Sequence, residues 1–110
     1  MSISVLAIDD SRTIRELLKR ALGAAGMQVT VAEDGVEGVD TFGQGTFDAV
    51  ITDINMPNMD GFGVIETIRG GDVNRRVPIL VLTTETGQEL KDRARRSGAT
   101  GWIVKPFDDA

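Results

Sequence analysis

Five short apolar runs punctuate this chain, and each leads into a polar residue: Ile8 into Asp9-Asp10, Val31 near Glu33, Ile51 towards Asp53, Leu82 into Thr83, and Val104 into Lys105. Each segment between successive runs is long enough to hold one helix. A strand, a crossover helix and a second parallel strand wind with a right hand, so the alternation predicts a parallel sheet with helices on both faces. In an open sheet of that kind the carboxyl ends of the strands share one edge, and ligands bind outside it. Three aspartates, a hydroxyl and an ammonium would converge there from distant positions. Packing alone asks for no such set.

Ile3–Ile8 and Pro78–Leu82 are almost continuously apolar, as strands covered on both faces are. Met27, Val29 and Val31 alternate with Gln28 and Thr30, the pattern of a half-exposed edge strand. Ala49–Thr52 and Gly101–Val104 complete the set. The edge-like second strand favours the order 2-1-3-4-5, an α/β doubly wound five-stranded parallel sheet of the flavodoxin-like type.

Ser11 can cap a first helix whose apolar positions are Ile14, Leu17, Leu18, Ala21 and Leu22, with Gly26 as its stop. Asp34 would cap a second, carrying Val36, Val39 and Phe42. Val64, Ile65 and Ile68 mark a third, closed by Gly70-Gly71. The fourth, about Thr86 to Ser97, has little apolar face beyond Leu90 and Ala94, and bears Lys91, Arg93, Arg95 and Arg96. So thin a stripe favours a docking surface for an acidic partner segment over a merely solvated face.

Composition removes several functions. The 110 residues suit one domain, residues 1–110, and are too few for two cores. Net charge is -5, from 12 basic and 17 acidic side chains, which argues against direct nucleic-acid binding. Cysteine and histidine are absent, so disulfides, thiolate metal sites and imidazole catalysis are excluded. No stretch has membrane-spanning length and the start lacks signal-peptide character, so a cytoplasmic protein with no membrane partner is expected.

Asp9, Asp10, Asp53 and Lys105 would sum to about -2 when all are ionised, and carboxylates so crowded raise one another's pKa or push the loops apart. A divalent cation relieves this, and an all-oxygen site suits Mg²⁺. Asp9 and Asp10 are adjacent, whereas Asp53 stands alone at its strand tip. That division assigns the pair to the metal and the single carboxylate to attack on a phosphoryl group. Lys105 and the Thr83 hydroxyl would stabilise the transferring oxygens.

Asp9-Asp10, Asp53-Ile54-Asn55-Met56-Pro57 with Asp60-Gly61, Thr83-Thr84-Glu85 and Lys105-Pro106-Phe107 together resemble the receiver domain of two-component response regulators. The likeness covers nearly the whole chain and is nearest the single-domain chemotaxis regulators. It implies that Asp53 accepts a phosphoryl group from a histidine kinase. Asp10 would bind Mg²⁺ directly and Asp9 mostly through water, with Asp53 and the Asn55 backbone carbonyl completing the ligands. Asn55 and Glu85 hold positions that tune loss of the phosphoryl group, and the Lys105-Pro106 bond corresponds to one that is cis. Trp102 sits where the family carries an aromatic switch, usually a smaller ring; the plainer reading is a large residue packing the edge strand. A downstream protein target such as a flagellar motor switch is implied as well.

Members of that family continue into a fifth helix where this sequence ends at Ala110. Part of one sheet face is therefore expected to be exposed and open to self-association. Other classes fit less well. An aspartate-nucleophile phosphohydrolase of the haloacid-dehalogenase type needs a second aspartate where Asn55 stands. A flavodoxin-like cofactor binder would find Asp9-Asp10 repelling its phosphate. A module working only by protein contact, without phosphorylation, would not need the full acid, hydroxyl and lysine set.

Overall fold

Nine elements alternate along residues 2–105, the part of the chain described by the computed structural model. They run β1 (Ser4–Ile8), α1 (Arg12–Ala24), β2 (Gln28–Ala32), α2 (Gly35–Gln44), β3 (Ala49–Thr52), α3 (Gly61–Gly70), β4 (Ile79–Thr83), α4 (Gln88–Ser97) and β5 (Gly101–Val104). The strands form one parallel sheet in the order β2-β1-β3-β4-β5. The expected architecture and strand order are thus those observed. The Lys105-Pro106 bond and everything after it lie outside the described residues.

Side chains alternate across the pleat of β1 and so feed two cores. Leu6 and Ile8 face the larger one, joined by Val50, Ile79 and Val81 from the sheet and Phe42, Ile65, Ile68 and Ala94 from α2, α3 and α4. Ala7 and Leu82 face the smaller one, where Leu18 of α1 is buried among the partly covered Ile14, Leu22 and Ile51. Ile103 and Val104 of β5 are 45% and 38% exposed, an apolar strip at the sheet's edge.

Helix ends follow local chemistry. Ser11, Asp34 and Asp60 each accept a backbone N–H from three residues on, at 3.3, 2.8 and 2.8 Å, which satisfies a donor that the first helical turn leaves free. Gly98 closes α4 with φ 112°, and its neighbour Ala99 donates back to the Ala94 carbonyl at 2.9 Å, a left-handed turn that suits glycine.

Two expectations need correction. Helix α4 begins at Gln88 and not at Thr86, behind Gly87, which offers no side-chain cap. The preceding residues are held elsewhere, because the Glu85 N–H donates to the Thr83 hydroxyl at 3.3 Å. Val36 does not face the core either: it is 48% exposed, while Gly35, Gly38 and Phe42 turn inward. Small residues let α2 lie close against Ile8, and Val36 falls on the open side.

Candidate functional site

Sheet register brings the expected residues to one edge. β1 pairs with β3 and places Ile8 beside Thr52, so Asp9 and Asp53 emerge next to each other. The Asp53 N–H donates to the Ile8 carbonyl at 3.0 Å and the Asp9 N–H to the Ala32 carbonyl at 3.1 Å. Beyond β4, the Lys105 N–H donates to the Thr83 carbonyl at 2.7 Å. From there the Lys105 Nζ reaches Asp9 Oδ2 and Asp53 Oδ2, each at 2.9 Å. One ammonium therefore ties together the ends of β1, β3 and β5.

The remaining carboxylate oxygens are also held. Asp9 Oδ1 accepts from the Ser11 N–H at 2.9 Å and Asp53 Oδ1 from the Ile54 N–H at 2.6 Å. Burial pushes the Asp9 carboxyl above its ordinary value of 3.8, although the hydrogen bonds from Lys105 and Ser11 work against that rise. For Lys105 burial opposes the charge, but the hydrogen bonds and charges of Asp9 and Asp53 prevail, so its pKa lies above 10.5. Opposed desolvation and pairing are what a buried ion cluster produces.

Asp10 points outward and is exposed. Asp9, Asp10 and Asp53 each offer one carboxylate oxygen, and these atoms lie within 4.8 Å of one another. Such a set could hold a metal ion, and hard oxygen donors with water access suit a hard dication.

Thr83 is fully buried at the end of β4. Glu85, two residues on, joins three expected residues. Its N–H donates to the Thr83 hydroxyl, its Oε1 accepts from Asn55 Nδ2 at 2.9 Å, and its carbonyl accepts from the Trp102 indole N–H at 3.2 Å. The indole also packs against the larger core. Trp102 is thus both a packing residue and a hydrogen-bond donor. Next to it a cleft of about 280 Å³ separates α4 from β5, lined by Lys91, Ala94, Arg95, Ala99 and Trp102 among others.

The loop from Asp53 to Gly61 is braced at both ends. Gly61 approaches so closely that a Cβ there would strike the Asp53 carbonyl and sit 2.9 Å from Ile54 Cα, and its N–H donates to the Ile54 carbonyl at 2.8 Å. Asn58, in the left-handed region at φ 69°, donates to Asp34 Oδ2 at 2.8 Å. That bond, after the one from the Glu37 N–H, holds the Asp34 carboxyl below its ordinary value.

Two residues were not anticipated. Asn58 acts through backbone geometry, for which the Pro57-Asn58 pair was the only signal. Arg15 donates from Nη1 to the Asp9 carbonyl at 2.7 Å, and its Nη2 lies 3.7 Å from Glu33 Oε1. It shares a helical stripe with Leu18 and Leu22 at intervals of three and four, and a charge on that stripe near a helix start was the available sign.

Residues 5–110 match the family model described as the response regulator receiver domain. The chain is 36% identical over 110 residues to chemotaxis protein CheY-3 of Vibrio cholerae serotype O1, spanning 99% of this chain and 85% of that one. The structure of V. cholerae CheY4 superposes with a TM-score of 0.94 at 42% identity, covering 98% of this chain and 90% of the other. The receiver domain of the sensor histidine kinase PA1611 from Pseudomonas aeruginosa PAO1, whose active site cleft coordinates a magnesium ion, gives 0.89 at 27% identity, with 98% and 88% covered.

Proposed function

The chain belongs to the response regulator receiver domain family, and from that premise we propose that residues 1–110 act as a phosphorylation-driven switch in two-component chemotactic signalling, with Asp53 as the acceptor. The observation that carries this reading is the Lys105 ammonium, 2.9 Å from both Asp53 and Asp9 on an edge that no structural demand would charge so heavily.

An Asp53 carboxylate oxygen forms the new bond to phosphorus. The bond from phosphorus to the imidazole nitrogen of a kinase's phosphohistidine breaks, and its electron pair leaves on that nitrogen. Asp9, Asp10, Asp53 and the Asn55 backbone carbonyl would hold Mg²⁺, which when bound supplies neutralising charge and orientation for the phosphoryl oxygens. The magnesium in the PA1611 receiver supports that choice of ion. Lys105 keeps a positive charge beside the accepting oxygen, and the Thr83 hydroxyl donates to a second one.

Thr83 carries the change outwards. A shift of its hydroxyl towards the phosphoryl group loosens its bond from the Glu85 N–H, and the Glu85 carbonyl holds the Trp102 indole. The α4–β5 surface beside Trp102 then alters its affinity for a protein target such as a flagellar motor switch. A coupling of about 1–3 kcal/mol is the expected scale. Water returns the acyl phosphate to carboxylate and phosphate, at a rate set by Asn55 and Glu85. The protein's chemistry is its own phosphorylation and reset, not turnover of free substrates. Among the described residues no helix is long and apolar enough to cross a membrane, and we place the switch in the cytoplasm, away from nucleic acid.

Incubation with Mg²⁺ and acetyl phosphate, followed by intact mass, tests the reading. Gain of one short-lived phosphoryl group, dependent on Mg²⁺ and absent in Asp53→Asn, is expected. No gain in a protein that demonstrably binds Mg²⁺ would overturn it.

A further inference from the structure

We infer that Arg15 is a positioning residue for the metal-binding carboxylates, acting through the peptide between Asp9 and Asp10; this rests on the metal reading given above. Its guanidinium donates to the Asp9 carbonyl at 2.7 Å, and that carbonyl belongs to the same rigid plane as the Asp10 N–H. Fixing the plane fixes where the Asp10 backbone starts, and with it the direction of the outward carboxylate.

The surroundings single out this bond. Asp9 is pinned four times: by Ser11 and Lys105 on its carboxylate, by the Ala32 carbonyl on its N–H and by Arg15 on its carbonyl. Asp10, by contrast, is exposed at the turn, so its carboxylate is steered by its backbone. Arg15 itself is well anchored. Its side chain is only 12% exposed and its second arm faces Glu33 at the end of β2, 3.7 Å away. One planar fork therefore spans the β1–α1 turn and the neighbouring strand end, a geometry that a lysine's point charge does not reproduce.

The idea makes a prediction of unusual sign. Arg15 is a cation near a cation site, so on charge alone its removal should tighten Mg²⁺ binding. A positioning role requires the opposite. Calorimetric titration of Mg²⁺ into Arg15→Met, which keeps bulk but loses charge and donors, should show affinity weakened by about tenfold, the low end of what loss of an outer-shell partner costs. Arg15→Lys, with the charge kept but the planar fork lost, should recover only a minor part of that loss. In Glu33→Gln, which leaves the carbonyl contact intact, affinity should stay close to wild type.

Unchanged or tighter Mg²⁺ binding in Arg15→Met would overturn the inference. Should that variant not fold, Arg15→Gln makes the same comparison with a polar side chain, and the same two outcomes decide. The wild-type titration separates the two layers of the argument. A wild type that binds no Mg²⁺ removes the metal site itself, whereas normal wild-type binding beside an unaffected Arg15→Met removes only the role of Arg15.

Discussion

The acidic edge of the sheet has a dry half and a wet half, and they are built on different principles. On the dry side Asp9, Thr83 and Asp53 are 1%, 0% and 7% exposed, and the Lys105 side chain between the two carboxylates is 10% exposed. On the wet side Asp10 and Asn55 are open to solvent and Glu85 is half-covered. The dry half holds its charges by short bonds from three strand ends. The wet half rests on bonds that water can replace, such as the one from Asn55 to Glu85. The proposed switch needs both: fixed charge where the chemistry would occur, and yielding contacts where an ion and a phosphodonor would enter.

Removing Lys105 should break the dry half most severely. Lys105→Met leaves Asp9 and Asp53 facing each other without a counter-charge. Loss of one partner from a buried pair costs about 3–5 kcal/mol, and with water reaching in beside Asp10 we expect about 3 kcal/mol in metal-free urea unfolding. On the proposed metal reading Mg²⁺ would bind the folded form and should close much of that gap. A deficit under about 1 kcal/mol would place the pair among ordinary surface bridges and erase the contrast.

Its pH dependence has a defined sign. Lys105 titrates above its ordinary 10.5 in the fold, so its contribution is complete below that value and is lost as pH rises through the raised pKa. The stability gap between wild type and Lys105→Met should hold steady to about pH 10 and then narrow. Asp9 behaves oppositely: its folded pKa is raised above 3.8, so its contribution exists at acid pH and disappears as pH rises through that raised value. Above that raised value the ionised Asp9 is therefore a cost to the metal-free protein.

Asp10 tests the wet half. Asp10→Asn removes an exposed charge from a crowded acidic cluster, so stability should stay within about 0.5 kcal/mol of wild type or rise slightly. Its Mg²⁺ affinity should nevertheless fall by at least about tenfold. Chemical unfolding and Mg²⁺ calorimetry on the same sample measure both. A large loss of stability would mean that Asp10 belongs with the dry residues after all.

Much of this division could be read from the residues before any coordinates. Apolar runs ending in Asp9, Asp53, Thr83 and Lys105 predicted a shared edge, because strand ends in a parallel sheet converge whatever lies between them, and the alternation of polar and apolar residues in the second strand predicted the order. The caps Ser11 and Asp34 were legible, since a cap depends on residues within one turn. What stayed hidden depends on side chains crossing between elements. Arg15 looked like one more helix cation until its partner proved to be a backbone carbonyl, which any residue provides and no sequence marks. Val36 looked like core because periodicity cannot show that Gly35 and Gly38 draw α2 down on their own side. The start of α4 shifted because Glu85 bonds to Thr83, Asn55 and Trp102 rather than opening the helix.

Glu85 gives the smallest expected effect and the finest test of the boundary between the halves. It touches both: its N–H meets buried Thr83, while its carboxylate meets exposed Asn55. Glu85→Gln keeps the backbone contacts to Thr83 and Trp102 and can still accept from Asn55, but carries no charge. Stability should therefore move by less than about 0.5 kcal/mol. The lifetime of the phosphorylated form should change by up to about tenfold, the rate equivalent of about 1.4 kcal/mol for one charged hydrogen bond in the transition state. Following decay by intact mass while recording Trp102 fluorescence separates the two roles of this residue. An altered decay with an unaltered fluorescence amplitude means that the carboxylate tunes the reset and the carbonyl carries the signal. If decay and amplitude change together, one continuous contact runs from Asn55 to Trp102, and the wet and dry halves are coupled through the Glu85 side chain itself.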